Sequence, residues 1–280
     1  MNIIKIAAFS DGDHGGNPAG VVLTTELPTA TEMQSIAADV GYSETAFAQM
    51  LNNEKTWRVR YFSPESEVPF CGHATIALGA ALAEKYGHAE YSLTLNEADI
   101  SVEGTNNGDQ YLAALKSPPT HHTLLSHAQI NDTLTLFGYS KSQLSNTFAP
   151  ARINGGADHY VIPLQSRSDL ASMSYNLDKG REFMQAHNLV TIMFVVTENK
   201  QLFHARNAFA SGGVLEDPAT GAAAAAFTGY LRDSGWTSDA DSRITIIQGQ
   251  DMGSRSVIDA EFSQKAGSSI RISGATRNLS

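Results

Sequence analysis

Two segments of this chain carry residue types and spacings suited to chemistry on a small anion. The first is Pro69-Phe70-Cys71-Gly72-His73-Ala74-Thr75-Ile76-Ala77-Leu78-Gly79-Ala80-Ala81-Leu82, and the second is Asp217-Pro218-Ala219-Thr220-Gly221-Ala222-Ala223-Ala224-Ala225-Ala226-Phe227. Each sets a polar, turn-forming cluster directly before a run of very small residues that reads as a helix. The start of a helix presents backbone N–H groups without intrahelical partners and a partial positive charge, which together make an anion site. Two such starts could grip one carboxylate from two sides, as chemistry at the neighbouring carbon requires.

Four side chains could act on a molecule held this way. Glu44 lies in Gly41-Tyr42-Ser43-Glu44-Thr45-Ala46-Phe47-Ala48. Alternation along a strand places it on one face with Tyr42, Ala46 and Ala48. A carboxylate among such neighbours is either a buried acid of the kind used in general acid/base catalysis or an edge-strand charge that limits aggregation. His73 stands at the first helix boundary, where it can meet an anion, relay a proton or serve as a loop or capping residue. Asp217 precedes the second helix and can cap it, hold a cationic amine or hydroxyl of a substrate, or do both. Cys71 is either a thiolate activated by the helix start or a small buried filler.

The elements that must position these residues follow from periodicity. Strands are predicted at residues 3–9, 21–24, 42–50, 56–62, 91–95, 99–103 and 111–116, with a turn-rich loop over 11–20. Helices are predicted at 31–40, ended by Gly41, and at 73–86, ended by Gly87. Ser117-Pro118-Pro119-Thr120-His121-His122 breaks the pattern and reads as a linker. Beyond it come helical stretches at 127–137 and 141–144 and strands at 159–163, 190–197 and 202–209. The second small-residue helix, at 220–232, is followed by strands at 244–248, 257–262 and 269–273. Both halves run strands, one helix, then strands, which suggests two similar lobes from a duplication. Five consecutive alanines, Ala222 to Ala226, leave that helix with no bulky or charged face. A helix without a polar side is a buried one, so each lobe is expected to be a curved sheet around one slim helix.

Composition narrows the partners. The chain has 280 residues, a soft prior for two domains, and 42% of them are hydrophobic, enough for a real core. With 19 basic and 29 acidic residues the formal charge is −10, which disfavours nucleic acid and anionic membranes as partners. The sole cysteine, Cys71, excludes an intrachain disulfide and fits a reducing compartment. The N-terminus lacks a signal-peptide pattern and no segment is long enough to cross a bilayer, so a cytoplasmic location is the expectation. Several familiar motifs fail. The glycine-rich loop at 11–20 lacks GxGxxG and GxxxxGK[ST]. Asp11-x-Asp13 opens like a calcium loop, but Val22 stands where the bidentate Glu belongs. His121, His122 and His127 have no matching ligands nearby, and neither HExxH nor GxSxG occurs.

The set Gly16-Asn17-Pro18-Ala19-Gly20-Val21, Ser43-Glu44-Thr45, Arg60-Tyr61-Phe62-Ser63-Pro64, Pro69-Phe70-Cys71-Gly72-His73-Ala74-Thr75, Arg206-Asn207-Ala208-Phe209 and Glu216-Asp217-Pro218-Ala219-Thr220-Gly221 resembles the PhzF-like isomerase family of phenazine biosynthesis. Gln248-Gly249-x-x-Met252-Gly253 is similar to that family's late motif. The match runs in order over nearly the whole chain. It implies the diaminopimelate epimerase fold, an α+β architecture of two pseudo-symmetric lobes. Each lobe is a barrel-like mixed sheet around a central helix, with the active site in the cleft between them. The lobes are expected at 1–116, joined by the C-terminal strand 268–280, and at 117–267.

The resemblance also implies that Glu44 is the acid/base that moves a proton on a dihydro-hydroxyanthranilate-type substrate, with His73 and Asp217 orienting it. Asn17, Gly72, Ala74, Thr220, Gly221 and Ala222 become the implied substrate contacts, with no cofactor and no metal, and a homodimer is what the family suggests. Three departures qualify the transfer. Epimerase relatives use two facing cysteines, whereas here Cys71 matches the first and Pro218 stands at the second, so a two-thiol racemase mechanism is not available. Ala222 replaces a frequent Ser, and Gly253-Ser254-Arg255-Ser256 replaces the usual Gly-Arg-Pro-Ser. The expectation is a cofactor-independent isomerase acting on a small carboxylate, amino-acid-like or a cyclic hydroxy acid. The alternatives are an epimerase using Cys71 with Glu44, or a non-catalytic anion-binding protein.

Overall fold

Both small-residue segments fold as buried helices, each packed inside the strands of its own unit. In the computed structural model, which describes residues 1–108, 110–237 and 242–280, the chain divides into two units. One comprises Met1–Lys116 with Ser273–Ser280, and the other Ser117–Ile272.

The first unit contains β1 (Ile4–Ala8), β2 (Asn17–Thr24), α1 (Ala30–Val40), β3 (Glu44–Met50), β4 (Thr56–Phe62), β5 (Glu67–Val68), α2 (Gly72–Tyr86), β6 (Ala89–Thr94), β7 (Asp99–Asn106) and β8 (Tyr111–Lys116). The second contains β9 (His121–Leu124), α3 (His127–Phe137), β10 (Ala151–Asn154), β11 (Asp158–Pro163), α4 (Arg167–Ala171), α5 (Leu177–Ala186), β12 (Thr191–Thr197), β13 (Leu202–Ala208), β14 (Glu216–Asp217), α6 (Gly221–Asp233), β15 (Arg243–Gln248) and β16 (Ser256–Glu261). The final strand, β17 (Arg271–Asn278), returns to pair with β1 and β8. The order β1-β2-β3-β4-β6-β7-β8-β17 therefore closes on itself as an eight-stranded barrel.

The duplication inferred from the sequence is visible in the pairings. In the first unit β1/β2 is antiparallel, β2/β3 parallel, β3/β4 and β4/β5 antiparallel, β4/β6 parallel and β6/β7 antiparallel. In the second, β10/β11, β11/β12, β12/β13, β13/β14, β13/β15 and β15/β16 repeat that series in the same senses. Six matching pairings supply the register for superimposing one unit on the other.

Small residues let each sheet close on its helix. Every residue from His73 to Ala83 is buried in α2, and every residue from Ala223 to Arg232 in α6. A Cβ on Gly104 in β7 would lie 2.3 Å from the Gly79 carbonyl oxygen, and one on Gly155 would lie 3.0 Å from the Ala226 nitrogen. These strands approach the helix backbone itself, and a methyl at Gly104 would overpack the barrel by about 1–3 kcal/mol. Inward residues of β4 alternate with outward ones, so Trp57, Val59 and Tyr61 are buried.

Three local readings are corrected. Residues 17–20 belong to β2 rather than to a loop, because their backbone pairs with β1 from Ala8↔Asn17 onward. The segment 117–122 is not a free linker: Ser117 N–H donates to the Ile270 carbonyl, Thr120 N–H to that of Gly267, and β9 begins at His121. The last strand runs on to Asn278. Strand β10 and helices α4 and α5, between residues 151 and 186, escaped the periodicity reading because they are short or strongly polar.

Candidate active site

In the first unit the site begins with a helix end. Helix α1 is held at its start by a Thr29–Glu32 capping box and ends at Gly41, whose left-handed conformation (φ 70°) turns the chain into β3. Glu44 is the first residue of β3, registered against Ala19 of β2, and its side chain is 15% exposed. On the other side β5, fastened to β4, hands the chain to α2. The fastening is a bidentate ion pair in which Arg60 Nε and Nη2 donate to the Glu67 carboxylate at 2.7 and 2.6 Å. That pair holds the Glu67 carboxyl below its ordinary range.

Cys71 takes the N-cap position of α2 and His73 is its second residue, 7% exposed. His73 Nε2 lies 3.4 Å from Glu44 Oε2, 3.2 Å from Ser43 Oγ and 4.0 Å from Cys71 Sγ, while Nδ1 lies 3.3 Å from Sγ. Beneath them Thr75 Oγ1 donates to the Cys71 carbonyl at 2.7 Å, and the Tyr61 hydroxyl lies 2.7 Å from Thr75 Oγ1. Burial pushes the Tyr61 phenol up from its ordinary value, so it stays protonated and serves as the donor. Gly72, between the cysteine and the histidine, is half-buried, and a Cβ built there meets nothing within 4 Å. Ala74 is buried in the first turn, and Asn17 is buried at the start of β2.

In the second unit the arrangement is a continuous chain of hydrogen bonds. Arg206 grips Glu216 as Arg60 grips Glu67, fastening β14 to β13 just before α6. Asp217 lies in β14 opposite Asn207. The N-cap residue of α6 is Thr220, not Asp217, so the capping reading of Asp217 is corrected. The aspartate instead accepts a hydrogen bond from the Thr220 hydroxyl at 2.6 Å. Behind it runs a buried chain. Thr191 Oγ1 lies 2.8 Å from His159 Nδ1 and donates to Asn207 Oδ1 at 3.0 Å. Asn207 Nδ2 donates to Gln248 Oε1 at 2.9 Å. Gln248 Nε2 donates to Thr220 Oγ1 at 3.0 Å and to the Asp217 carbonyl at 2.7 Å, while Gln248 Oε1 also accepts from Thr220 N–H.

Because Thr191 donates onward, its oxygen accepts from the His159 Nδ1–H. The side-chain relay from His159 through Thr191, Asn207, Gln248 and the Thr220 hydroxyl then runs in one sense to the Asp217 carboxylate, and aligned bonds of this kind reinforce one another. His159 Nε2 has no partner among the described residues. Burial drops the pKa of this imidazole to about 4, so it stays neutral. Gly221 and Ala222 are half-buried at the opening of α6.

The helix starts differ from the others in how they are capped. Helices α1, α3, α4 and α5 begin on side-chain caps from Thr29, Ser126, Ser166 and Asn176. At α2 and α6 no side chain caps the first turn, and neither first turn carries an acidic residue. The N–H groups that a cap would satisfy are left for another acceptor.

The structure thus gathers Glu44, Cys71 and His73 in one unit and Asp217, Thr220, Gly221 and Ala222 in the other. It adds residues to which sequence reasoning assigned no role: Ser43, Thr191, Asn207 and Gln248. Asn207 and Gln248 did carry a signal, since amides within apolar strand runs must find buried partners. Thr191 and His159 carried none.

Comparisons with known proteins follow the same outline. Residues 6–278 match the family described as phenazine biosynthesis-like protein. An uncharacterized isomerase of Deinococcus radiodurans is 28% identical over 263 residues, covering 92% of this chain and 85% of its own. The trans-2,3-dihydro-3-hydroxyanthranilate isomerase of Pseudomonas chlororaphis is 28% identical over 271 residues, covering 96% and 93%. Among solved structures, the PhzF-family phenazine biosynthesis protein of Bacillus anthracis shares the fold with a TM-score of 0.87 at 21% identity, over 100% of this chain and 97% of that one. Among the described residues, no helix is long and apolar enough to cross a membrane.

Proposed function

This chain belongs to the phenazine biosynthesis-like family and is a small-molecule isomerase, and from that premise we propose that it moves one proton on a small carboxylate by general acid/base catalysis. The observation that carries the reading is the 3.4 Å approach of His73 Nε2 to the shielded Glu44 carboxylate beside an uncapped helix start. Glu44 takes a proton from carbon and returns it at another position. His73 orients this carboxyl group, which is neutral while it holds the proton. Gly72 and Ala74 at the opening of α2, with Asn17, and Thr220, Gly221 and Ala222 at the opening of α6 are the proposed substrate contacts. Asp217, held by its chain of donors, accepts from an amine or hydroxyl of the same molecule. Acid/base assistance of this kind supplies about 10²–10⁴ in rate.

The substrate class is an amino-acid-like or cyclic hydroxy-carboxylate. A Pseudomonas chlororaphis relative is named for trans-2,3-dihydro-3-hydroxyanthranilate, and that compound is the first to try. The test is incubation of the enzyme with this compound and a panel of small carboxylates in D₂O, followed by NMR. The proposal expects one member to isomerise, with transfer of hydrogen traced by partial deuterium incorporation. A ligand that binds and raises the melting temperature, yet neither isomerises nor exchanges hydrogen, would favour the non-catalytic anion-binding reading instead. A homodimer is proposed as the working state, to be checked by mass measurement in solution.

A second reading has one observation in its favour. Cys71 Sγ lies 3.3 Å from His73 Nδ1, so the thiol and Glu44 flank one imidazole, as an epimerase acting from opposite faces of a carbon would use them. Loss of turnover in Cys71→Ala would select this mechanism, and retention of turnover selects Glu44 as the sole acid/base.

A further inference from the structure

The trio around His73 has a property that proton transfer does not call for. Glu44, Cys71 and His73 each offer one metal-ligating atom, and the three atoms lie within 4.8 Å of one another. They are an oxygen, a sulfur and an imidazole nitrogen, the donor set that zinc prefers, with three protein ligands and one position open. Tetrahedral bond lengths of about 2.0–2.3 Å set donor–donor separations of about 3.3–3.6 Å. From His73 Nε2, the Glu44 oxygen already stands at 3.4 Å and the Cys71 sulfur at 4.0 Å. Cys71 Sγ lies nearer Nδ1, at 3.3 Å, so the cysteine side chain must turn toward Nε2 to complete the set. All three side chains are largely shielded from water, with Cys71 9% and His73 7% exposed and the Glu44 side chain 15% exposed.

We propose that Glu44, Cys71 and His73 form a zinc-binding site. Resting on the acid/base reading above, metal capture occupies the proposed base and silences turnover reversibly, with chelator restoring it.

The chain has one cysteine, so the site can be identified without a variant. Titrating the metal-free enzyme with Co²⁺ is expected to raise a near-ultraviolet thiolate-to-metal absorption band with one-to-one stoichiometry, displaced by Zn²⁺. Zn²⁺ at a hundredfold excess over its Kd is expected to raise the melting temperature by roughly 5 °C. Cys71→Ser and His73→Gln should each remove both signals while far-ultraviolet circular dichroism stays native. Absence of the thiolate band in the wild-type protein overturns the proposal. A Zn²⁺-dependent shift that persists in folded Cys71→Ser also overturns it, placing the ion on surface histidines. The inhibition assay speaks to the acid/base reading alone: if the band forms but Zn²⁺ leaves turnover intact, the role of Glu44 is wrong and the metal site stands.

Discussion

The two units place different chemistry on one scaffold. Their strand pairings align Tyr61 with Asn207, since each faces the short strand that leads into the central helix, and Ala46 with Met193, since each faces that residue across the sheet. Two residues back along the same strands, Glu44 corresponds to Thr191. The first unit thus sets a titratable carboxylate where the second sets a hydroxyl, and it surrounds that carboxylate with histidine and cysteine. The second fills the same level with neutral donors leading to Asp217. What both keep is the Arg–Glu pair fastening the short strand, followed by an uncapped helix start. The feature held in duplicate is this fastened, uncapped helix start, while the proposed acid/base Glu44 sits in one copy only.

The sharpest break of this comparison exchanges the roles at the equivalent positions. Glu44→Gln is expected to lower kcat by about 10²–10⁴ with little change in stability, whereas Thr191→Val should act on stability, since it orphans His159 Nδ1 and Asn207 Oδ1 at a cost of about 1–3 kcal/mol each. Urea denaturation beside steady-state kinetics separates the two. A kinetic collapse in Thr191→Val with unchanged stability would mean that the second unit also moves protons.

Next in size is Gln248→Ala. It strips partners from Asn207, the Thr220 N–H and the Asp217 carbonyl together, and should cost about 4 kcal/mol in unfolding free energy with a raised KM. An unaltered KM in a folded Gln248→Ala protein would show that Asp217 needs no such support.

A third effect concerns pH. His159 has a folded pKa of about 4, below its ordinary 6.5, because burial disfavours its charged form. The folded state binds fewer protons than the unfolded one between these values. His159 therefore contributes its full stability above pH 6.5, loses it as pH falls toward 4, and changes no further below. The loss is about 3 kcal/mol, and His159→Gln should flatten that part of the stability–pH curve. An equally steep curve in the variant would contradict the assignment.

The smallest effect is expected from Gly72→Ala. Open space surrounds the added methyl, so the melting temperature should hold, while close approach of an anion to the α2 N–H groups should weaken, by less than tenfold in Kd. Unchanged affinity would remove the α2 start from the binding site.

Much of this was legible in the sequence, for physical reasons. The alanine runs forecast buried axial helices because no charge interrupts them. Glu44 and His73 stood out as polar residues at the edges of apolar elements. Less visible was anything that depends on a partner distant in the chain. The Asn207–Gln248 bond joins residues 41 apart, and neither residue alone reveals which amide will face which. For Asp217 the sequence offers capping beside a substrate contact, because aspartate before a helix often caps it. Only its pairing with Asn207 in β14 turns it away from that task. Residues 17–20 read as a loop because Gly16, Asn17, Pro18 and Gly20 are turn residues in isolation. Gly20 is in fact required by a close approach, since a Cβ there would lie 2.7 Å from Thr45 Oγ1.

The central claim is that Glu44 carries the proton. It is tested most directly by following solvent hydrogen exchange into a bound, turned-over carboxylate in D₂O with wild type and Glu44→Gln side by side. The account predicts that the variant binds the ligand with wild-type affinity and shows no exchange above background. Exchange at the wild-type rate in Glu44→Gln would contradict it.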